Sequence, residues 1–207
     1  MKLLYATTNE FKIQNMIDRL SDTNIEIITP KDLNDLIEIE ENGTTVVENA
    51  ILKATAYYNK YKMPTIAGDS ALFVDKFTHQ PGLCVRRIQG EYLEDDKLED
   101  YYIKKLEEIG RVSNAHYVTG GAIIIEDKLY TIEIAEDEFI LTADISTHPR
   151  GYDPLGRLEY DPILNKYFCE LTQEDKKKRN YNSDTEWLKF IKKTLKSVEE
   201  KKDQIYD

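Results

Sequence analysis

Two lysines, Lys12 and Lys53, and two carboxylates, Glu41 and Asp69, stand in the first third of this chain at points where an apolar strand or an amphipathic helix changes character. With hydroxyl and amide donors at Thr8, Asn9 and Asn49, they form an inventory suited to a polyphosphate carrying a metal ion. The setting makes that inventory local. A formal net charge of −11 argues against nucleic acid or an anionic membrane as partner, since both need an extended basic face. An anionic small molecule is compatible with the chain if a lysine cluster and a divalent cation screen it.

In Thr8-Asn9-Glu10-Phe11-Lys12 a short strand runs into a capped helix. Such a junction exposes backbone N–H groups at the positive end of the helix dipole, a geometry that binds phosphate. Thr8 and Asn9 add side-chain donors, and Lys12 reaches out one turn later. The plainer reading is a helix cap beside a surface lysine. Glu48, Asn49 and Lys53 share the next helix, after an acidic loop holding Glu40 and Glu41. Mg²⁺ takes one or two carboxylates with waters and phosphate oxygens, a set that Glu41 suits; a solvated acidic loop is the alternative. Asp69 follows an apolar stretch and Gly68, so the pattern predicts a carboxylate emerging at the carboxyl end of a strand, where α/β folds hold ligands. There it could hold the metal or deprotonate an attacking water, unless Asp69-Ser70 is an ordinary turn.

The elements that must position these residues follow from periodicity. Leu3–Ala6 and Ile25–Ile28 read as strands, and Ile13, Met16, Ile17 and Leu20 recur at helical spacing behind a cap at Thr8 or Asn9. Thr44 or Thr45 caps a helix reaching Tyr58, and 64–67 predicts a third strand stopping at Gly68-Asp69. A helix over 93–109 is followed by strands over 116–125, 129–134 and 139–145, the first two joined as a hairpin through 126–128. Residues 148–165 read as irregular, and 184–195 as a helix with Trp187, Phe190 and Ile191 on one face. The 207 residues read as one domain, ending in a charged segment from about residue 196 that frays.

No stretch approaches the roughly 20 apolar residues of a membrane span, and the Met1–Tyr5 run is too short for a signal peptide. Cys84 and Cys169 read as reduced thiols, which suits a cytoplasmic protein.

The order and spacing of the segments resemble the Ham1 family, the inosine and xanthosine triphosphate pyrophosphatases. The T-x-N-x-x-K opening is matched by Thr7–Lys12, and the E-x-G-x-T-x-x-E-N-A-x-x-K-A helix by Glu41–Ala54. Gly68-Asp69-Ser70-Ala71-Leu72 stands at D-D-S-G-L, and Pro81-Gly82 with Arg86-Arg87 at the following P-G and arginine. Pro149-Arg150-Gly151-Tyr152-Asp153-Pro154 matches P-R-G and G-Y-D-P, and Lys166–Leu171 matches K-T-F-A-E-L. The resemblance implies an α/β (α+β) fold, with a long curved mixed sheet and helices on two lobes around a central nucleotide cleft. It also implies a homodimer and Mg²⁺-dependent cleavage of the α–β phosphate bond to give a monophosphate and pyrophosphate. By the same likeness Thr8, Asn9, Lys12 and Lys53 hold phosphates, Glu41 and Asp69 handle metal and water with Asp69 as base, and Arg150, Tyr152, Asp153 and Lys176 lie beside the purine.

Three departures stand out. Gly68 replaces the first acid of D-D-S-G, Arg150 takes the place of a base-stacking phenylalanine, and Asn180-Tyr181-Asn182 replaces an S-H-R that contacts the purine 6-oxo group. Tyr152-Asp153-Pro154 also recurs as Tyr160-Asp161-Pro162, and the first copy fits the distance to Lys166–Leu171 better. Two functions are compatible with this pattern: a pyrophosphatase for deaminated purine triphosphates such as ITP, dITP and XTP, or a sensor that binds the same nucleotides and signals to an effector protein. A Maf-like pyrophosphatase for pyrimidine nucleotides shares the architecture, but the T-x-N-x-x-K and E-N-A segments favour the Ham1 side.

Overall fold

The computed structural model describes residues 1–78 and 81–203, with side chains to residue 196. Its strands are β1 (Lys2–Tyr5), β2 (Glu26–Ile28), β3 (Thr65–Val74), β4 (Pro81–Gly82), β5 (Arg87–Ile88), β6 (Glu91–Tyr92), β7 (Val112–Ile125), β8 (Lys128–Ala135), β9 (Phe139–Thr142), β10 (Glu159–Asp161) and β11 (Lys166–Tyr167). Its helices are α1 (Glu10–Leu20), α2 (Val46–Tyr61), α3 (Asp95–Glu108), α4 (Gln173–Arg179) and α5 (Asn182–Asp203). A large mixed sheet and these five helices make the fold α/β. The chain divides into two compact units, one of residues 1–69, 119–134 and 182–207, the other of 70–118 and 135–181. The long strands β3 and β7 contribute residues to both.

In the first unit β1 pairs in parallel with β2 on one side and β3 on the other, with β7 beyond β3 and β8 paired to β7. Side chains alternate across a strand, and two separate cores follow from that parity. Leu3, Tyr5, Ile66, Ile123 and Ile125 point to one face, where they pack with Met16 and Leu20 of α1 and Trp187, Ile191 and Leu195 of α5. Leu4, Ala6, Ala67, Ala122 and Ile124 point to the other, against Ala50, Ala54, Tyr57 and Tyr58 of α2. Two neighbouring glycines let both helices come close. A Cβ on Gly120 would sit 2.5 Å from the Val46 carbonyl carbon, and one on Gly121 would sit 2.3 Å from the Trp187 ring.

In the second unit β11, β10, β9 and β7 lie in that order, with antiparallel pairing among β11, β10 and β9 and between β9 and β7. Beyond β7 come the second half of β3 and then β4, while β5 and β6 form a separate two-stranded ribbon. The core gathers Leu98, Tyr102 and Leu106 of α3 with Leu72, Phe139, Leu141, Leu155 and Leu158.

Several elements correct the expectations from periodicity. The third strand does not stop at Gly68-Asp69 but continues to Val74, so Asp69 lies inside a strand rather than at its end or in a turn. The strand expected to reach Ile145 ends at Thr142, and the stretch read as irregular contains β10. The hairpin turn holds Glu126 and Asp127 at φ of 51° and 57°, the left-handed pair that a two-residue hairpin loop requires. Helix α5 runs to Asp203; the side chains of the charged end lie outside the described residues. Among the described residues no helix is long and apolar enough to cross a membrane.

Candidate active site

Strand parity decides where Asp69 points. Gly68 shares the face of Ile66, so a Cβ there would meet the Trp187 ring at 3.4 Å. Asp69 falls on the opposite face with Ala67, toward α2. There Lys53, two turns into α2, places Nζ 2.9 Å from Asp69 Oδ1 and 3.0 Å from Glu41 Oε2. Its side chain is 12% exposed and that of Asp69 14%, so the pair is shielded from bulk solvent. Asn49 Nδ2 donates to the other Asp69 oxygen at 3.0 Å.

The start of α2 is built to hold this arrangement. Thr45 caps the helix, accepting from Glu48 N–H at 3.1 Å. The Glu48 carboxylate reaches back to Thr44, accepting from its N–H at 2.6 Å and its hydroxyl at 2.8 Å, and these bonds hold Glu48 below its ordinary carboxyl range. Asn49 is 4% exposed, and its Oδ1 accepts from Gly43 N–H at 2.9 Å. A Cβ on Gly43 would lie 2.6 Å from that same oxygen, so the loop carrying Glu41 can approach the helix only with glycine there. The sequence reading placed Asn49 on the right helix without assigning it this bridging task. Its E-N-A setting behind a capped start was the available signal.

At the strand-to-helix junction after β1, Asn9 rather than Thr8 is the cap of α1, accepting from Lys12 N–H at 3.1 Å. Thr8 and Asn9 are solvent-exposed, and Lys12 Nζ lies 3.5 Å from Gly68 O. Lys12, Lys53, Asp69 and Glu41 thus lie at or beside the same stretch of β3 in the first unit. Among the described residues no three His, Cys, Asp or Glu side chains form a metal-holding group. Two carboxylates already converging on one ammonium nevertheless fit a hard divalent ion that takes the rest of its shell from water and phosphate.

The second unit holds the other candidates. Arg150 is locked in place by α3: Nε donates to Glu99 Oε1 at 2.9 Å, and Nη2 donates to Glu99 Oε2 and Asp96 Oδ1, each at 2.7 Å. Tyr152 is 67% exposed. Asp153 accepts from Leu155 N–H at 3.1 Å, with the positive charges of Lys176 and Arg86 acting on it, while burial pushes its carboxyl upward. In the repeated copy, Asp161 accepts from Tyr181 hydroxyl at 2.6 Å, Arg179 Nε at 3.2 Å, and the backbone of Ile163 and Leu164 at 2.7 and 2.9 Å. Asp161 therefore organises the β10–β11 turn and anchors the segment after α4. The Tyr181 hydroxyl, in the segment that stands at the place of S-H-R, is committed to that anchor.

The family model describing the Ham1 family matches residues 3–183, and the chain belongs to that family. It is 35% identical over 189 residues to a dITP/XTP pyrophosphatase of Aquifex aeolicus, covering 86% of this chain and 89% of the relative. It is 32% identical over 206 residues to the dITP/XTP pyrophosphatase of Thermoanaerobacter pseudethanolicus, covering 97% of this chain and all of the relative. Among solved structures it is similar to the Ham1 protein of Staphylococcus aureus, with a TM-score of 0.67 and 25% identity across 85% of this chain and 89% of that one.

Proposed function

We propose that this chain hydrolyses deaminated purine nucleoside triphosphates, of the ITP, dITP and XTP kind, to the monophosphate and pyrophosphate. The observation that carries the reading is the Lys53 ammonium held between Asp69 and Glu41 at 2.9 and 3.0 Å, in a chain similar to relatives named dITP/XTP pyrophosphatases. The relatives named here are pyrophosphatases, and nothing comparable favours a sensor.

Lys12 and Lys53, with Thr8 and Asn9 at the start of α1, hold the phosphates. Glu41 and Asp69 hold Mg²⁺, which when bound neutralises phosphate oxygens and raises the electrophilicity of phosphorus. Asp69 takes the proton of the attacking water; its carboxylate has lone pairs beyond the two engaged by Asn49 and Lys53. In the second unit, Arg150 offers a guanidinium plane held by Glu99 and Asp96 for a purine to stack on, with Tyr152, Asp153 and Lys176 completing the base contacts. The family likeness also supports a homodimer, and two free cysteines suit a reducing cytoplasm.

The test is pyrophosphate release with Mg²⁺ over ITP, dITP, XTP, dGTP and dATP, with Asp69→Asn in parallel. Turnover of ITP, dITP and XTP that falls by roughly 10²-fold or more in the variant is expected. Wild-type turnover by Asp69→Asn would remove Asp69 as the base.

A further inference from the structure

Glu159, on β10, is fully buried. Its Oε1 accepts from the Tyr117 hydroxyl at 2.5 Å, while Oε2 is, among the described residues, the buried side-chain polar atom left without a hydrogen-bond partner. A buried carboxylate oxygen with no donor carries the full cost of lost hydration. A neighbouring group is no donor either while ionised: the carboxyl of Asp153 lies close enough to interact with Glu159. Two acceptors facing each other make sense only if one of them carries a proton.

We propose that Glu159 carries that proton at neutral pH and donates it from Oε2 to Asp153, acting as a positioning residue that presents Asp153 to the base as one oriented, ionised acceptor. This rests on the reading of Asp153 as a base contact.

The surroundings indicate which carboxyl is protonated. Burial and the neighbouring Asp153 charge drive Glu159 well above its ordinary range, with Glu136 adding to the effect and only the Tyr117 hydroxyl opposing it. Asp153 has the Leu155 N–H and the charges of Lys176 and Arg86 to support its ionised form. Tyr117 is partly buried and its desolvation keeps the hydroxyl a neutral donor, and Tyr102 of α3 stands near the same cluster. Gly156 fixes the turn: its N–H donates to Asp153 O at 3.3 Å, and a Cβ there would lie 3.1 Å from Asp153 Cβ.

The chemical consequence concerns selectivity. An ionised carboxylate only accepts hydrogen bonds. A 6-oxopurine offers an N1–H, whereas adenine offers a lone pair at N1, so an oriented Asp153 welcomes the first and repels the second. Loss of the Glu159 proton would place a second negative charge beside Asp153 and remove its aim.

The experiment combines a carboxyl measurement with kinetics. In protein labelled with ¹³C at the glutamate carboxyls, the Glu159 resonance is found by its absence in Glu159→Gln and followed from acid to alkaline pH. In parallel, KM and kcat for ITP and ATP are measured against pH for wild type, Glu159→Gln, Glu159→Leu and Tyr117→Phe. The expected result is a protonated Glu159 at neutral pH. Glu159→Gln, whose amide donates permanently, should keep wild-type KM at neutral pH and lose the alkaline rise in KM. Glu159→Leu should raise KM for ITP roughly tenfold or more with kcat little changed. The ionisation of the base's own N1–H falls equally on all variants and cancels in the comparison. Tyr117→Phe keeps the ring and removes the bond that favours ionised Glu159, so its alkaline limb should move to higher pH.

An ionised Glu159 at neutral pH, a limb moving downward in Tyr117→Phe, or an unchanged ITP-over-ATP preference in a folded Glu159→Leu would each overturn the proposal. A wild-type protein that neither binds nor turns over any 6-oxopurine triphosphate would defeat the functional reading and the positioning role with it. The resonance would still decide separately whether Glu159 holds the proton.

Discussion

The Asn49 side chain donates to Asp69 at 3.0 Å and accepts from the Gly43 N–H at 2.9 Å, so one buried amide ties the loop carrying Glu41 to the strand carrying Asp69. Both halves of the amide are used, one as donor and one as acceptor. Aspartate, the nearest in shape, can serve only the Gly43 end and would set a second negative charge against Asp69.

Asn49→Asp should therefore cost about 1–3 kcal/mol of stability and lower hydrolysis, because Asp69 loses a donor and gains a repelling neighbour. Urea denaturation and pyrophosphate release measure the two effects. Unchanged values in both assays would show that the amide bridge is incidental.

Lys12→Ala should weaken triphosphate affinity, since the lysine stands one turn into α1 with Nζ 3.5 Å from Gly68 O beside Asp69. Loss of one ammonium–phosphate contact corresponds to roughly a tenfold or greater weakening. Calorimetric titration with ITP in the presence of Asp69→Asn, to block turnover, gives the comparison, and equal affinities would take the phosphate role away from Lys12.

Gly120→Ala should destabilise the first unit by about 1–3 kcal/mol, because the new methyl meets backbone atoms at 2.5 Å and backbone cannot step aside as a flexible side chain can. The start of α2 must shift, carrying Asn49 and Lys53 with it. Activity should fall along with the melting temperature; a variant as stable and as active as wild type would contradict the close approach.

Acid unfolding follows from Asp175. Its carboxylate accepts from Lys166 Nζ at 2.7 Å and from the Thr172 backbone and hydroxyl, and these bonds push it from 3.8 down to about 2. A depressed folded value contributes stability that is fully present above the ordinary value and is lost as pH falls through the folded one. Wild type should thus lose stability between about pH 4 and pH 2 more steeply than Asp175→Asn. Parallel denaturation curves across that window would rule out the contribution.

The fold was legible to different depths along the chain. Helices α1 and α2 could be read from apolar spacing and their caps, because Asn9 and Thr45 act locally. Strand β3 was truncated in that reading because Gly68, Asp69 and Ser70 look like a turn. Pairing within a sheet and cover from Trp187 override the local preference, and neither is visible in the nearby sequence. The two lysines and two carboxylates of the first unit were found from type and position, yet the Asn49 bridge needed coordinates. Glu159 carries no such local signal. A glutamate in a Gly- and Pro-rich stretch gives no hint of complete burial, which comes from a strand, β10, that the sequence did not reveal.

The two adjacent glycines of β7 leave α2 and α5 separated, on opposite faces, by little more than a peptide plane. Helices so placed cannot loosen one at a time. If the Trp187 ring lifts, the support beneath the first turn of α2 changes with it, so the two helices should open to solvent exchange as a single cooperative block. Amide protons of α2 and α5, far apart in sequence, should then share one protection level, and the integrity of the carboxylate–lysine cluster would be set by a tryptophan on the opposite face of the sheet.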